Sequence, residues 1–191
     1  SSLPHIIIVP GNGCGRIERA NWYCWVANQL REKGFQVDCQ AMPDPNEAKE
    51  SIWIPFIRDK LKADQNTILI GHSSGAEAGM RYLETDRILG LVLVSACHTD
   101  LGMESERISG YYSRPWEWDK IRSNSEWIVQ YHSIDDPFIP IEEARHVAKN
   151  LKSEFIEDTK KGHYMSQTFQ ELVDLIEAKT NYRKTHAPMG I

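Results

Sequence analysis

Thr67-Ile68-Leu69-Ile70-Gly71-His72-Ser73-Ser74-Gly75-Ala76 decides how the rest of this chain reads. Thr67 to Ile70 suits a buried strand, the run breaks at Gly71, and helix-favouring residues resume from Ala76 through Met80 to Leu83. At the turn sits G-x-S-x-G with Ser73 at its centre, the pattern of a nucleophile elbow. Sterics explain the glycines: strand and helix pass so close that a Cβ at Gly71 or Gly75 is expected to clash. The same turn lifts the Ser73 hydroxyl above the sheet and aims the first amides of the next helix at it. An ordinary strand-to-helix loop can hold the pattern by chance. The strand before it and the helix after it favour the catalytic reading.

Working outward, strands alternate with helices. His5-Ile6-Ile7-Ile8-Val9 is a β-branched run suited to a central parallel strand. A helix is expected from about Asn21 to Lys33, stopped by Gly34, then an alternating strand over Phe35–Met42 nearer the sheet edge. Pro43 and Pro45 make a rigid turn, and a helix indented by Pro55 runs from about Glu50 to Lys62. Further strands are expected at Ile88–Ser95, Glu126–His132 and Glu154–Ile156, with helices over Ile141–Leu151 and about Gln167–Ala178. The order predicts an α/β fold: a three-layer αβα sandwich on a mostly parallel six-stranded sheet, with the elbow strand near its middle. Reactive groups then gather beyond the carboxyl ends of the strands. Residues 1–180 read as a single domain and 181–191 as a frayed tail. The stretch Ala96–Ser125, dense in aromatics, is too long for a plain connection and too short for a large lid, so it is expected to line or cover the site.

Composition narrows the class. The chain has 191 residues, 41% of them hydrophobic and 26% charged, enough for one real core. A formal charge of −5 and the lack of a basic run argue against nucleic acid, and no apolar stretch reaches membrane-spanning length. No signal peptide is visible at Ser1-Ser2-Leu3-Pro4. Cys14, Cys24, Cys39 and Cys97 lack C-x-x-C spacing and read as idle thiols of a reducing compartment. A cytoplasmic monomer is the expectation.

A serine hydroxyl needs a base within reach, and the base needs a third group to fix its tautomer. In this architecture the chain order is Ser, then Asp or Glu, then His. Of seven histidines, only His163 falls in the loop after the last strand and before the last helix. Asp135 and Asp136 come after the penultimate strand; Asp136 is preferred, because Pro137 and Pro140 stiffen the chain beyond it, and Asp135 reads as a turn cap. The oxyanion needs two N–H donors, one from Ser74 and the other from the loop after the first strand, Asn12 or its neighbours between Gly11 and Gly15. Trp53, Tyr111, Trp116 and Phe138 are candidate pocket walls. The G-x-G-x-G of Gly11–Gly15 differs from the dinucleotide fingerprint, and no G-K-[ST] loop or metal-ligand spacing occurs, so neither cofactor nor metal is expected.

Taken together, these words resemble the small α/β-hydrolases related to retinoblastoma-binding protein nine. The resemblance rests on Val9-Pro10-Gly11-Asn12-Gly13, Met42-Pro43-Asp44-Pro45, Glu50-Ser51-Ile52-Trp53, Gly71-His72-Ser73-Ser74-Gly75-Ala76, Leu91–Ala96, Asp100-Leu101-Gly102, Ser109-Gly110-Tyr111, Arg114-Pro115-Trp116, Asp135-Asp136-Pro137-Phe138 and Gly162-His163. It covers nearly the whole domain. It implies a compact serine hydrolase with its triad at Ser73, Asp136 and His163, in agreement with the placement above, acting on small esters or amino-acid esters and amides. The family's namesake interaction with retinoblastoma-type pocket proteins uses L-x-C-x-E; here the counterpart reads Leu61-Lys62-Ala63-Asp64-Gln65, and the resemblance does not carry that partner over. Two rivals stand beside the esterase or amidase expectation: a hydrolase fold serving as a protein-binding module, and thioester or peptide hydrolysis by the same three residues.

Overall fold

Six parallel strands in the order β2-β1-β3-β4-β5-β6 form the centre of the computed structural model, which describes residues 3–186. β1 (His5–Val9), β3 (Thr67–His72) and β4 (Gly90–Val94) are buried along nearly their whole length, as strands covered by helices on both faces must be. β3 lies between β1 and β4, with Val9 opposite Gly71 and His72 opposite Val94. β5 (Trp127–Ser133) and β6 (Glu154–Asp158) complete one edge and β2 (Gln36–Asp38) the other. This is the α/β sandwich that the strand and helix order predicts.

The helices follow their apolar stripes. α1 (Tyr23–Glu32) buries Tyr23, Val26, Ala27 and Leu30, spacings that fall on one face. α6 (Ile141–Leu151) buries Ile141, Ala144, Val147 and Leu151, and Glu142 and Glu143 in its first turn suit the positive end of the helix dipole. α2 (Glu50–Pro55) relaxes into wider π-type turns over Phe56–Lys60 at its proline, the indentation expected there. α3 (Ser74–Leu83) is buried at every residue and crosses the middle of the sheet.

Two expectations change in detail. The edge strand expected over Phe35–Met42 keeps only Gln36–Asp38, since β1 offers it only His5 to Ile7 as partners. The last helix, α7 (Gln170–His186), continues past Ala178 through the first part of the expected tail. Thr180 still faces the core there, and Arg183 reaches Glu126 at 3.3 Å. Residues 187–191 lie outside the described part. The segment 96–125 contains two short helices, α4 (Glu104–Arg107) and α5 (Trp118–Ser123).

That segment is shaped from beneath by Arg81 on α3. Its guanidinium donates to the carbonyls of Tyr111 at 2.6 Å, Arg114 at 2.8 Å and Pro115 at 3.1 Å, and to Glu84 at 2.7 Å. It also lies 3.7 Å over the Trp116 ring. One buried arginine thereby satisfies carbonyls that an irregular segment has no ladder to satisfy. Among the described residues, no helix is long and apolar enough to cross a membrane.

Candidate active site

The turn between β3 and α3 is as tight as its glycines require. A Cβ on Gly71 would sit 2.3 Å from the Gly75 carbonyl oxygen, and one on Gly75 would sit 2.1 Å from that of Val9. Backbone meets backbone, so nothing can yield. Ser73, between them, is held at φ 56° and ψ −117°, a strained conformation for a residue with a side chain. Its hydroxyl makes no capping bond to its own helix and faces a cleft of about 690 Å³.

His163 reaches the same cleft from the loop after β6. Its Nδ1 donates to Asp136 Oδ2 at 2.8 Å, and the other carboxylate oxygen accepts the amides of Phe138 at 2.8 Å and Ile139 at 3.0 Å. Burial pushes the Asp136 carboxyl up, but the bonds from His163 and from the two amides outweigh it and leave it below the usual carboxylate range. Asp135 plays a different part. Its Oδ1 accepts from Ser133 and from the Gly162 amide at 2.8 Å, tying down the loop that carries His163. Asp136 therefore faces the imidazole and Asp135 caps the turn. Among the described residues, no hydrogen bond yet links Ser73 Oγ to His163, a bond that commonly tightens only when substrate is present.

The loop after β1 closes the cleft from the side, with Gly11 so near that a Cβ there would lie 3.3 Å from that of Ser73. The Gly11 amide donates to the Tyr23 hydroxyl at 3.1 Å, and that of Gly13 to Pro45 at 2.7 Å. Asn12, between two tethered amides, lines the cleft, as does Ser73. Ser74 opens α3, where amides have no carbonyl of their own helix to bind.

The expected walls need correction. Trp53 and Tyr111 are fully buried, 0% and 1% exposed, and Trp116 packs under Arg81 with its indole N–H on the His98 carbonyl at 2.9 Å. None of the three lines the cleft, because each closes the core beneath segment 96–125. Phe138 does line it, 61% exposed, its ring edge-on to His163 with centroids 5.1 Å apart. Other walls were not legible beforehand: Tyr112, Leu101, Met103, Met165 and two carboxyls, Glu77 and Glu106. Glu77 accepts the Cys97 amide at 2.6 Å, and burial raises both carboxyls above their usual range, Glu77 most. The segment 96–125 lines the site as its length suggested, through Cys97, Leu101, Met103, Glu106 and Tyr112, but which of its residues do so was not legible. Among the described residues, no group of three or more His, Cys, Asp or Glu side chains is placed to hold a metal.

A serine on a strained turn and a carboxylate-bound imidazole in one cleft are parts acyl transfer needs. A family model described as "Serine hydrolase" matches residues 6–173. The chain belongs to the serine hydrolase family. It is 48% identical over 173 residues to "Serine hydrolase RBBP9" of Rattus norvegicus, covering 90% of this chain and 93% of the rat protein. The solved ydeN gene product of Bacillus subtilis superposes with a TM-score of 0.82 over 92% of this chain and 97% of that one at 20% identity. Est1E of Butyrivibrio proteoclasticus does so with a TM-score of 0.70 over 96% and 89% at 14% identity. This serine hydrolase thus has the α/β-hydrolase fold.

Proposed function

We propose that this serine hydrolase cleaves small carboxylic esters or amides through an acyl-enzyme on Ser73, with a preference for aminoacyl groups. The observation that carries the reading is the 2.8 Å bond between His163 and a buried Asp136, in a cleft that Ser73 also lines. Ser73 Oγ attacks the carbonyl carbon while its proton passes to His163 Nε2. Asp136 holds the tautomer and stabilises the imidazolium. The leaving alkoxide or amine takes that proton as the tetrahedral intermediate collapses, and water then repeats the sequence to free the acid and Ser73. The amides of Ser74 and Asn12 hold the oxyanion; the flanking amides of Gly11 and Gly13 are already spent on Tyr23 and Pro45, which supports Asn12 as the second donor.

The aminoacyl preference rests on Glu77 and Glu106, two carboxyls in a cleft otherwise walled by Leu101, Met103 and Tyr112. An arriving ammonium favours the ionised form of both carboxyls and pairs with them. A fluorophosphonate probe is expected to label wild type and not Ser73→Ala; an unlabelled wild type would sink the reading. An aminoacyl p-nitrophenyl ester should be turned over about 10- to 100-fold better than its N-acetylated form, the range for a hydrogen bond to a charged group. Equal turnover removes the aminoacyl preference and leaves the esterase.

A further inference from the structure

His72, inside the elbow, is neither nucleophile nor base, yet it is 2% exposed and fully hydrogen-bonded. Its Nε2 lies 2.7 Å from the backbone carbonyl of His163 and its Nδ1 lies 2.7 Å from the Tyr23 hydroxyl. A carbonyl oxygen only accepts, so Nε2 carries the proton. Burial, followed by the neighbouring His163, lowers the His72 pKa to about 3, so the ring is neutral at ordinary pH and Nδ1 is bare. Tyr23 must then donate its hydroxyl proton to Nδ1, and burial keeps that phenol protonated by pushing its pKa up to about 12. The phenol oxygen in turn accepts the Gly11 amide at 3.1 Å and the Asn21 side-chain amide at 3.3 Å. Every donor has one acceptor, and the chain has one direction.

We propose that Tyr23 and His72 are positioning residues: one buried hydrogen-bonded strut that ties the Gly11 end of the oxyanion loop to the backbone of His163. The inference rests on the catalytic reading above and extends it to residues that touch no substrate. Trp22 braces the strut, its ring packing edge-on to Tyr23 at 4.9 Å and tilted to His72 at 5.5 Å between centroids. Its indole N–H donates to the carbonyl of Tyr164, next to His163, at 2.9 Å. The start of α1 thereby grips three loops of the site, those carrying Gly11, Ser73 and His163. The strut bears on the chemistry in two ways. The Asn12 peptide lies between an amide held by the strut and the Gly13 amide held by Pro45, so its N–H needs no reorganisation when charge develops. In addition, the His72 ring is 5.0 Å from that of His163, and its neutrality spares the imidazolium of the transition state a like charge.

Tyr23→Phe tests this with little change of shape. It removes one hydroxyl and leaves Gly11 N–H and His72 Nδ1 unpartnered. Sites would be counted by burst titration with p-nitrophenyl acetate or a fluorophosphonate, and turnover expressed per titrated site, so that lost folding is not read as lost catalysis. We expect kcat per site to fall roughly tenfold to a hundredfold, the scale of a displaced catalytic group, with KM within about twofold. His72→Leu should match or exceed that loss. His72→Gln keeps an acceptor for Tyr23 and a donor for the His163 carbonyl, and should recover most of it. Normal kcat per site in both Tyr23→Phe and His72→Leu would overturn the strut while leaving the hydrolase intact. A wild type that takes no probe would overturn the reading beneath it as well.

Discussion

The elbow at β3–α3 and the segment 96–125 border the same cleft but are built by opposite means. At the elbow, backbone packs on backbone: the Gly75 Cα approaches the Val9 carbonyl so closely that no side chain fits. In the segment, side chains do the building: Arg81 gathers three carbonyls, Trp116 lies beneath it, and Tyr111 fills the core. Where backbone clearance sets the structure, the tolerated residues are few and their pattern is visible. Where packing sets it, many sequences serve and the pattern dissolves. The two should therefore fail differently when disturbed.

The largest failure is expected at the elbow. Gly75→Ala places a Cβ 2.1 Å from the Val9 carbonyl oxygen in β1. Relief requires parting α3 from β1, and a domain with about 5–15 kcal/mol in hand does not survive that. Circular dichroism and probe labelling should both report loss of the native state. A folded, labelled Gly75→Ala protein would mean the elbow is softer than its geometry.

Arg81→Met is the matching test of the segment. Its side chain is 1% exposed and that of Glu84 4%, so the substitution leaves the buried carboxylate only a longer ion pair to Arg114 at 3.5 Å and strands the carbonyls as well. The cost should be about 3–5 kcal/mol, read as a lower urea midpoint at unchanged slope. Replacing both, Arg81→Met with Glu84→Leu, should recover part of the loss, since no lone charge is left. If the single substitution costs under about 1 kcal/mol, far below the usual toll of a broken buried pair, the segment is held by its apolar packing and its contrast with the elbow fails.

The same contrast explains what could be read in advance. Alternating strands and helices, the glycines of the elbow, and the order of Ser73, Asp136 and His163 each obey a local rule with a stated spacing. The cleft walls obey no such rule. Trp53, Tyr111, Trp116 and Phe138 are equally aromatic in sequence, and only tertiary packing sends three inward and leaves Phe138 at the mouth. Cys24 and Cys39 have unrelated spacing, yet their sulfurs stand 3.7 Å apart because α1 lies beside β2. His72 was hidden for another reason. The motif marks its position as variable, and the role of its imidazole depends on Tyr23, forty-nine residues earlier.

Taken per pH unit, the smallest effect lies at the join between the two regimes, where a side chain sits inside the elbow itself. His72 titrates at about 3 when folded, against an ordinary 6.5, because burial, and then His163, disfavour its charged form. In that window the unfolded chain binds a proton that the folded chain refuses. This contribution to stability is therefore complete above 6.5 and declines as pH falls towards 3, by about 1.4 kcal/mol per pH unit. Buried Glu77 pulls the other way: its raised carboxyl favours the folded state in acid and gives that up as pH rises above the carboxylate range. The raw profile of the wild type thus mixes two signs, and only a difference separates them. Gln cannot be protonated, so subtracting the His72→Gln profile from that of wild type should leave a slope confined to the interval between 6.5 and 3. Urea midpoints taken at half-unit steps would show it. A flat difference would mean that His72 takes up its proton within the fold as readily as in water, and a ring that does so is not held between Tyr23 and the His163 carbonyl.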